Sequence, residues 1–329
     1  MTQATPLLQI KDLKQHFLVS NKLFQDKKYV YAVDGVSFDL YPGQTIGLVG
    51  ESGCGKSTVG RTLLKLYEPT AGRIFFEGRD ITNLKAKEMI SLRKEMQIIL
   101  QDPLESLNQR HTVGDIIKEP FQIHGIGTPK ERDQWVSELL VKVGLRPDAA
   151  SRFPHEFSGG QRQRIGIARA IALKPKLIVC DESVSALDVS VQAQIVNLLL
   201  DLQKEMNIAL IFIAHDLSVV RHVSDVIAVM YLGKFVEIGK AEDVYNTPKH
   251  PYTEALISAI PQPDPWAKKD RIILNGDIPS PMNPPKGCAF STRCRLAEKG
   301  CFEHSPTLSC DEHKVACHLV QLLPGNNNE

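Results

Sequence analysis

The chain has 329 residues, 43% of them hydrophobic, and its 39 basic and 38 acidic side chains give a formal net charge of +1. That balance excludes a polybasic surface built for nucleic acid or for an anionic membrane, and no run approaches the roughly 18 apolar residues that span a bilayer. The opening MTQATPLLQIKDLKQHF lacks the apolar core of a signal peptide, so a cytosolic protein is expected, its cysteines reduced, metal-bound or catalytic rather than disulfide-bonded.

Residues 7–19 read as a strand, Ser20 to Lys28 as a loop, and VYAVDGVSFDLYPG alternates until the Pro42-Gly43 turn. An antiparallel sheet is therefore expected first. Phe17 and Tyr31 are its aromatics able to stack on an adenine ring; each can equally pack in the sheet.

Next comes TIGLVGESGCGKSTVGRTLLKL, residues 45–66. The apolar run Ile46 to Val49 predicts a buried strand and a helix follows, so the residues Gly50 to Ser57 fit G-x-x-x-x-G-K-[ST] in the context that motif requires. Gly50, Gly53 and Gly55 let the backbone, with Ser52 between them, turn its N–H groups around a polyphosphate. The helix N-terminus adds partial positive charge. Lys56 suits the β- and γ-phosphates, Ser57 suits Mg²⁺, and Thr58 suits a further phosphate contact.

PTAGRIFFEGRDI, residues 69–81, reads as two short strands about a glycine turn, still in the antiparallel layer. MQIILQDP, residues 96–103, is an apolar strand ending at Gln101, where a ligand of an open α/β sheet would lie; a metal or a water beside the γ-phosphate is in its reach. About residues 104–165 the pattern turns helical, predicting an inserted helical subdomain. It closes with Phe157-Ser158-Gly159-Gly160-Gln161 ahead of a helix, a second site for an anion at a helix N-terminus.

KLIVCDE, residues 176–182, is a buried strand ending in two carboxylates. Asp181 is placed to hold Mg²⁺ through water, and Glu182 to orient or deprotonate an attacking water. An amphipathic helix follows SALDVS, and the strand IALIFIAH ends at His215, a residue able to bond a phosphate oxygen or the attacking water. Residues 226–239 read as a hairpin about Leu232-Gly233.

The ordered set of the loop at 50–57, Gln101, FSGGQ, IVCDE, SALD and His215 resembles the ATP-binding subunit of ABC transporters, over residues 7 to about 245. The resemblance implies a P-loop NTPase core with an antiparallel β layer and a helical insert. It further implies that Phe17 stacks on adenine, that Ser57 and Gln101 hold Mg²⁺, and that Gln101 couples to membrane subunits. Ser158, Gly159, Gly160 and Gln161 would serve the nucleotide of a facing ATPase, Glu182 would be the catalytic base and His215 the switch histidine. Phe157 replaces the usual Leu and Ser183 stands where many members have Pro; both leave the phosphate-facing groups intact, so a competent ATPase is expected.

Residues 246–329 leave that pattern. HPYTEAL and PSPMNPPKGCAF…RC resemble the C-terminal extension of the dipeptide, oligopeptide and nickel branch, closest to its dipeptide permease ATPases. Five cysteines fall here, and Cys288, Cys294, Cys301 and Cys317 lack C-x-x-C pairs, so their donor set suits either Zn²⁺ or an iron–sulfur cluster. The branch resemblance favours [4Fe–4S], with Cys310 spare. It also implies two transmembrane permease subunits, a related second ATPase and a separate substrate-binding protein. The subunit would sit peripherally on the cytoplasmic face of the bacterial inner membrane and drive uptake of dipeptides or oligopeptides, with nickel and glutathione as alternative cargoes. A soluble ABC protein acting on nucleic acid is disfavoured, because one ATPase unit occurs and the segment from Lys56 to Asp181 is too short for a long coiled-coil arm.

Overall fold

The computed structural model describes residues 5–20, 27–185, 187–261, 271–309 and 311–321. Its strands are, in chain order, β1 Leu8–Ser20, β2 Lys28–Leu40, β3 Thr45–Val49, β4 Ala71–Phe76, β5 Arg79–Asp80, β6 Met96–Ile99, β7 Leu177–Asp181, β8 Ala209–Ile213, β9 Val226–Tyr231, β10 Lys234–Lys240 and β11 Lys314–Val315. The chain divides into two compact units. One holds the residues up to 41, 45–83 and those from 213 onward; the other holds 42–44 and 84–212.

In the first unit β2, β1, β4 and β5 form a sheet in that order, with β1 antiparallel to β2 and to β4. This is the antiparallel layer that the alternation of residues 28–40 announces: Val33, Val36, Phe38 and Leu40 are buried while the residues between them face outward or are half-covered. A second run of strands in this unit has the order β11, β10, β9, β3, with β3 and β9 parallel. All five residues of β3 are buried, as a central strand covered on both faces requires. The β9–β10 hairpin turns at Leu232 and Gly233, both with positive φ (46° and 81°), the conformation that two-residue hairpin turns favour.

The C-terminal extension is built into this unit rather than hung from it. Lys314–Val315 adds an antiparallel edge strand to β10, and the helix Pro251–Ser258 buries Tyr252 and Thr253 completely. Phe290, also buried, packs edge-on against Tyr231 of β9 and at a tilt against Tyr252, each at 5.3 Å between ring centres. A tail poor in local apolar periodicity thus borrows its core from the hairpin. Buried Glu237 ties it down further, accepting from the backbone N–H groups of Lys249 (2.8 Å) and His250 (3.0 Å) and lying 2.6 Å from His313 Nε2.

In the second unit β8, β7 and β6 are neighbours in that order, β6 and β7 being parallel. Every residue of β7 and β8 is buried. β6 ends at Ile99, so the strand expected to end at Gln101 stops two residues earlier and Gln101 lies in the bend that follows. The helical stretch carries well-made starts: Thr112 caps Val113–Ile123, and Thr128 with Glu131 forms a reciprocal capping box on Pro129–Lys142. Gly159–Ile171 and Val189–Met206 complete the unit's long helices. Among the described residues no helix is long and apolar enough to cross a membrane.

Candidate functional site

In the first unit the buried strand β3 delivers the glycine loop to the helix Lys56–Leu63. Gly50 and Gly55 have φ of 151° and 108°, and a Cβ on either would come within 2.1 Å of a backbone oxygen, that of Met230 or that of Ala32. Only glycine fits at these two turns. Lys56 is buried and its Nζ donates to the carbonyls of Gly50 (2.8 Å) and Glu51 (3.1 Å), which curls the loop over its own ammonium. Ser52 and Gly53 are exposed at the crest, and Ser57 and Thr58 are half-buried in the first helical turn. Backbone N–H groups, an ammonium and a hydroxyl at a helix N-terminus make a site for phosphate oxygens and a hard cation.

Cys54 is buried in the same loop, and burial raises its pKa against the lowering effect of Lys56. Phe17 is half-buried and meets Tyr67 edge-on at 5.2 Å between ring centres, so it is partly engaged in packing. Tyr31 packs on His16 instead. His215 is exposed in the bend after β8, two residues beyond the strand end.

Glu51 was not singled out by the sequence, yet its backbone N–H and its carboxylate are both bonded. Its N–H donates to the Tyr252 hydroxyl at 2.9 Å. Its carboxylate takes a two-pronged ion pair from Arg293, with Arg293 Nη1 to Oε2 at 2.7 Å and Nη2 to Oε1 at 3.1 Å. That pairing holds the guanidinium pKa above its ordinary value. Arg293 and Tyr252 both belong to the extension, and neither carries a local motif that would have flagged it.

In the second unit Asp181 is buried at the end of β7, and the next residue, Glu182, has φ of 47°. A glutamate held in the left-handed region is strained, and such strain gathers where a side chain must be aimed. Gln101 Nε2 donates to Glu182 Oε2 at 2.9 Å, so two residues 81 positions apart in the chain meet, a contact the sequence reading did not anticipate. Cys180 beneath them is fully buried and its thiol is pushed up to about 12 by burial, which leaves it inert. Ser158 caps the helix Gly159–Ile171: its Oγ accepts from the Gln161 N–H at 3.4 Å and Gln161 Oε1 accepts from the Ser158 N–H at 3.1 Å. Ser158, Gly159 and Gln161 are exposed, and Gly160 is half-buried, so the helix N-terminus faces outward. The stretch SALD includes residue 186, which lies outside the described residues.

Cys288, Cys294, Cys301 and Cys317 are all free thiols. Cys288 N–H donates to the Cys301 carbonyl at 2.8 Å, and burial pushes its thiol up to about 11, with the charges of Cys317, Cys301 and Cys294 adding to the rise. Burial also raises the Cys294 thiol, and it senses Cys317 and Cys301. The four thiols are therefore gathered in one region. Among the described residues, however, no three His, Cys, Asp or Glu side chains converge closely enough to hold a single metal ion. Cys310 lies outside the described residues.

Residues 33–185 match the family model described as ABC transporter, and residues 236–301 match the one described as oligopeptide/dipeptide transporter, C-terminal region. The chain is 54% identical over 319 residues to the oligopeptide transport ATP-binding protein AppF of Bacillus subtilis, covering 95% of this chain and 97% of that protein. It belongs to the ABC transporter family, as an ATP-binding subunit. Another member, the oligopeptide transport ATP-binding protein OppF of Salmonella typhimurium, is 51% identical, with 98% of each chain covered. Among solved structures, the ATP-binding cassette MJ0796 in a dimeric post-hydrolysis state with ADP and Pi superposes with a TM-score of 0.64 at 25% identity, over 71% of this chain and 98% of that one. cbiO1 of Clostridium perfringens gives 0.62 at 26% identity, over 74% and 91%. The ABC ATPase therefore has the expected P-loop NTPase fold, and ATP is its nucleotide.

Proposed function

We propose that this ABC ATPase powers peptide import by binding and hydrolysing Mg-ATP at the loop Gly50–Ser57. The observation that carries the reading is the union, in one chain, of an ABC transporter segment at 33–185 with an oligopeptide/dipeptide transporter C-terminal segment at 236–301. Lys56 and the loop N–H groups would neutralise the phosphates, and Thr58 would add a contact. Glu182 would orient and deprotonate the attacking water, steadied by Gln101, and His215 would bond the γ-phosphate. Phe17 would stack on adenine. Ser158, Gly159, Gly160 and Gln161 would meet the nucleotide of a facing ATPase, a role their outward-facing helix N-terminus supports.

By the roles the family resemblance implies, Ser57 and Gln101, with Asp181 acting through water, would supply the oxygen donors that Mg²⁺ prefers. When bound, that ion would withdraw charge from the transferring phosphoryl group. For the cysteines, the resemblance to the peptide-permease branch favours a [4Fe–4S] cluster, with Zn²⁺ as the alternative. Cys288, Cys294, Cys301 and Cys317 would hold it, and it would supply a covalent staple for a segment with little regular structure. Iron and sulfide analysis of anaerobically purified protein tests this, and absence of both would overturn it.

The partners are two membrane permeases, a related second ATPase and a separate substrate-binding protein, with this subunit peripheral on the cytoplasmic face. A tagged chain captured from gently solubilised membranes in the presence of ATP, with bound proteins identified by mass spectrometry, tests the assembly. Two multi-span permeases and a second ATPase are expected. Recovery of soluble partners alone, or of ribosomes, would overturn the transport reading.

A further inference from the structure

The loop residue Glu51 raises a physical difficulty: it places a carboxylate in the loop whose function is to attract a polyphosphate. An unpaired negative charge there would weaken binding of a triphosphate. The structure removes that charge from a distance of 242 residues in sequence, through the two-pronged contact of Arg293. The Arg293 side chain is only 7% exposed and that of Glu51 27%, so solvent screens the pair weakly.

Arg293 is also held ready for this contact. Its backbone N–H donates to the Phe290 carbonyl at 3.0 Å, and Phe290 is wedged among Tyr231, Tyr252 and His250. Arg293 Nη1 lies 3.5 Å from the Tyr231 hydroxyl. Tyr252 pins the N–H of the same Glu51, while Lys56 takes its carbonyl. Every polar group of Glu51 is thereby engaged, two of them by the extension.

We propose that Arg293 is a positioning residue of the nucleotide loop, which by neutralising Glu51 lets the C-terminal extension set the affinity for ATP. The inference rests on the reading that the loop holds ATP. It predicts that the extension acts on nucleotide affinity far more than on the chemical step, because Arg293 acts through Glu51 and has no part in attack on the phosphorus.

The test measures ATP dissociation constants by calorimetry on the full chain, with ATPase kinetics and thermal midpoints alongside. Arg293→Ala is expected to weaken ATP binding by about tenfold, with kcat at saturating ATP changed less than about twofold. Adding Glu51→Gln to Arg293→Ala is expected to restore affinity to within about threefold of the original, since the repelling charge is gone. Glu51→Gln alone keeps a hydrogen-bonding partner for Arg293 and is expected to bind ATP at least as tightly as the unmodified chain. Should Arg293→Ala not fold, this variant carries the test: weaker binding by Glu51→Gln would overturn the proposal. An Arg293→Ala protein that binds ATP normally, or a double variant no better than Arg293→Ala, would overturn it as well. Lys56→Ala separates the two levels. Unchanged ATP affinity in that variant would sink the loop reading itself, whereas loss there beside normal affinity in Arg293→Ala sinks only the role of Arg293.

Discussion

Gln101 donates through its side-chain amide to the carboxylate of Glu182 across 2.9 Å, and Glu182 holds that orientation with a left-handed backbone at φ 47°. The two come from the ends of neighbouring parallel strands β6 and β7. The bond fixes which way the carboxylate points, the condition that Glu182 would have to meet in the proposed role of general base.

Glu182→Gln should therefore keep ATP binding and lose turnover by about a hundredfold or more. Phosphate release under saturating Mg-ATP, beside a binding titration, checks this; turnover at the unmodified rate would remove Glu182 from its role. Gln101→Ala should lower turnover by a smaller factor, because the carboxylate stays but its orientation is freed.

Gly55→Ala should cost nucleotide affinity by at least about tenfold, since a methyl at φ 108° meets the Ala32 carbonyl at 2.1 Å and the loop must shift. Gly53→Ala has open space around its Cβ and only the positive φ of 78° to oppose it, so its loss should be smaller. Comparing the two by nucleotide titration separates crowding from backbone strain. Equal losses would mean that the close approach to Ala32 is not what matters.

Cys54 should alkylate slowly near neutral pH, because burial raises its pKa from 9.0 and the thiolate is the reactive form. The labelling rate should climb as pH passes above 9, and Mg-ATP should slow it at every pH by covering the loop. Mass-spectrometric rates with iodoacetamide at two pH values, each with and without Mg-ATP, provide the check; rates indifferent to ATP would contradict the loop contact.

The extension should loosen in acid. Burial lowers the His250 pKa from 6.5 to about 4, so the folded state favours the neutral ring whose Nδ1 accepts from the Tyr252 N–H. A folded pKa below the unfolded one contributes stability that is complete above about pH 6.5 and is lost as pH falls toward 4, on the order of 3 kcal/mol in all. Glu237 adds to this in a lower window. Burial opposes its charge, but the contacts from His313 and from the N–H groups of Lys249 and His250 win and hold its pKa below 4.5. Its contribution is present above 4.5 and falls away below. Hydrogen exchange of residues 250–258 at pH 7 and pH 5 should show protection dropping at the lower pH, and a His250→Asn variant should flatten that drop.

Much of the candidate site was legible because its chemistry is local. Gly50, Gly55, Lys56 and Ser57 act within one turn of chain, and Ser158 caps a helix with a partner three residues on, so spacing alone specifies what each can reach. The strands β3, β7 and β8 announced themselves as unbroken apolar runs because both of their faces are covered. The extension was harder to read. Residues 271–309 have little periodicity, and what orders them is Phe290 inserted among side chains of β9 and the helix Pro251–Ser258.

The glycine loop at 50–57, the carboxylate pair at the end of β7 and the family to which the chain belongs can all be read along the chain, since each is written in residues close together or in a fixed order of motifs. That the extension reaches the loop becomes visible only once the chain is folded: Arg293 meets Glu51, and Tyr252 meets the same residue, through contacts spanning 242 and 201 positions. An ion pair between distant residues leaves no period and no spacing in the chain, because its partners are chosen by the packing of Tyr231, Tyr252 and Phe290 that brings them together.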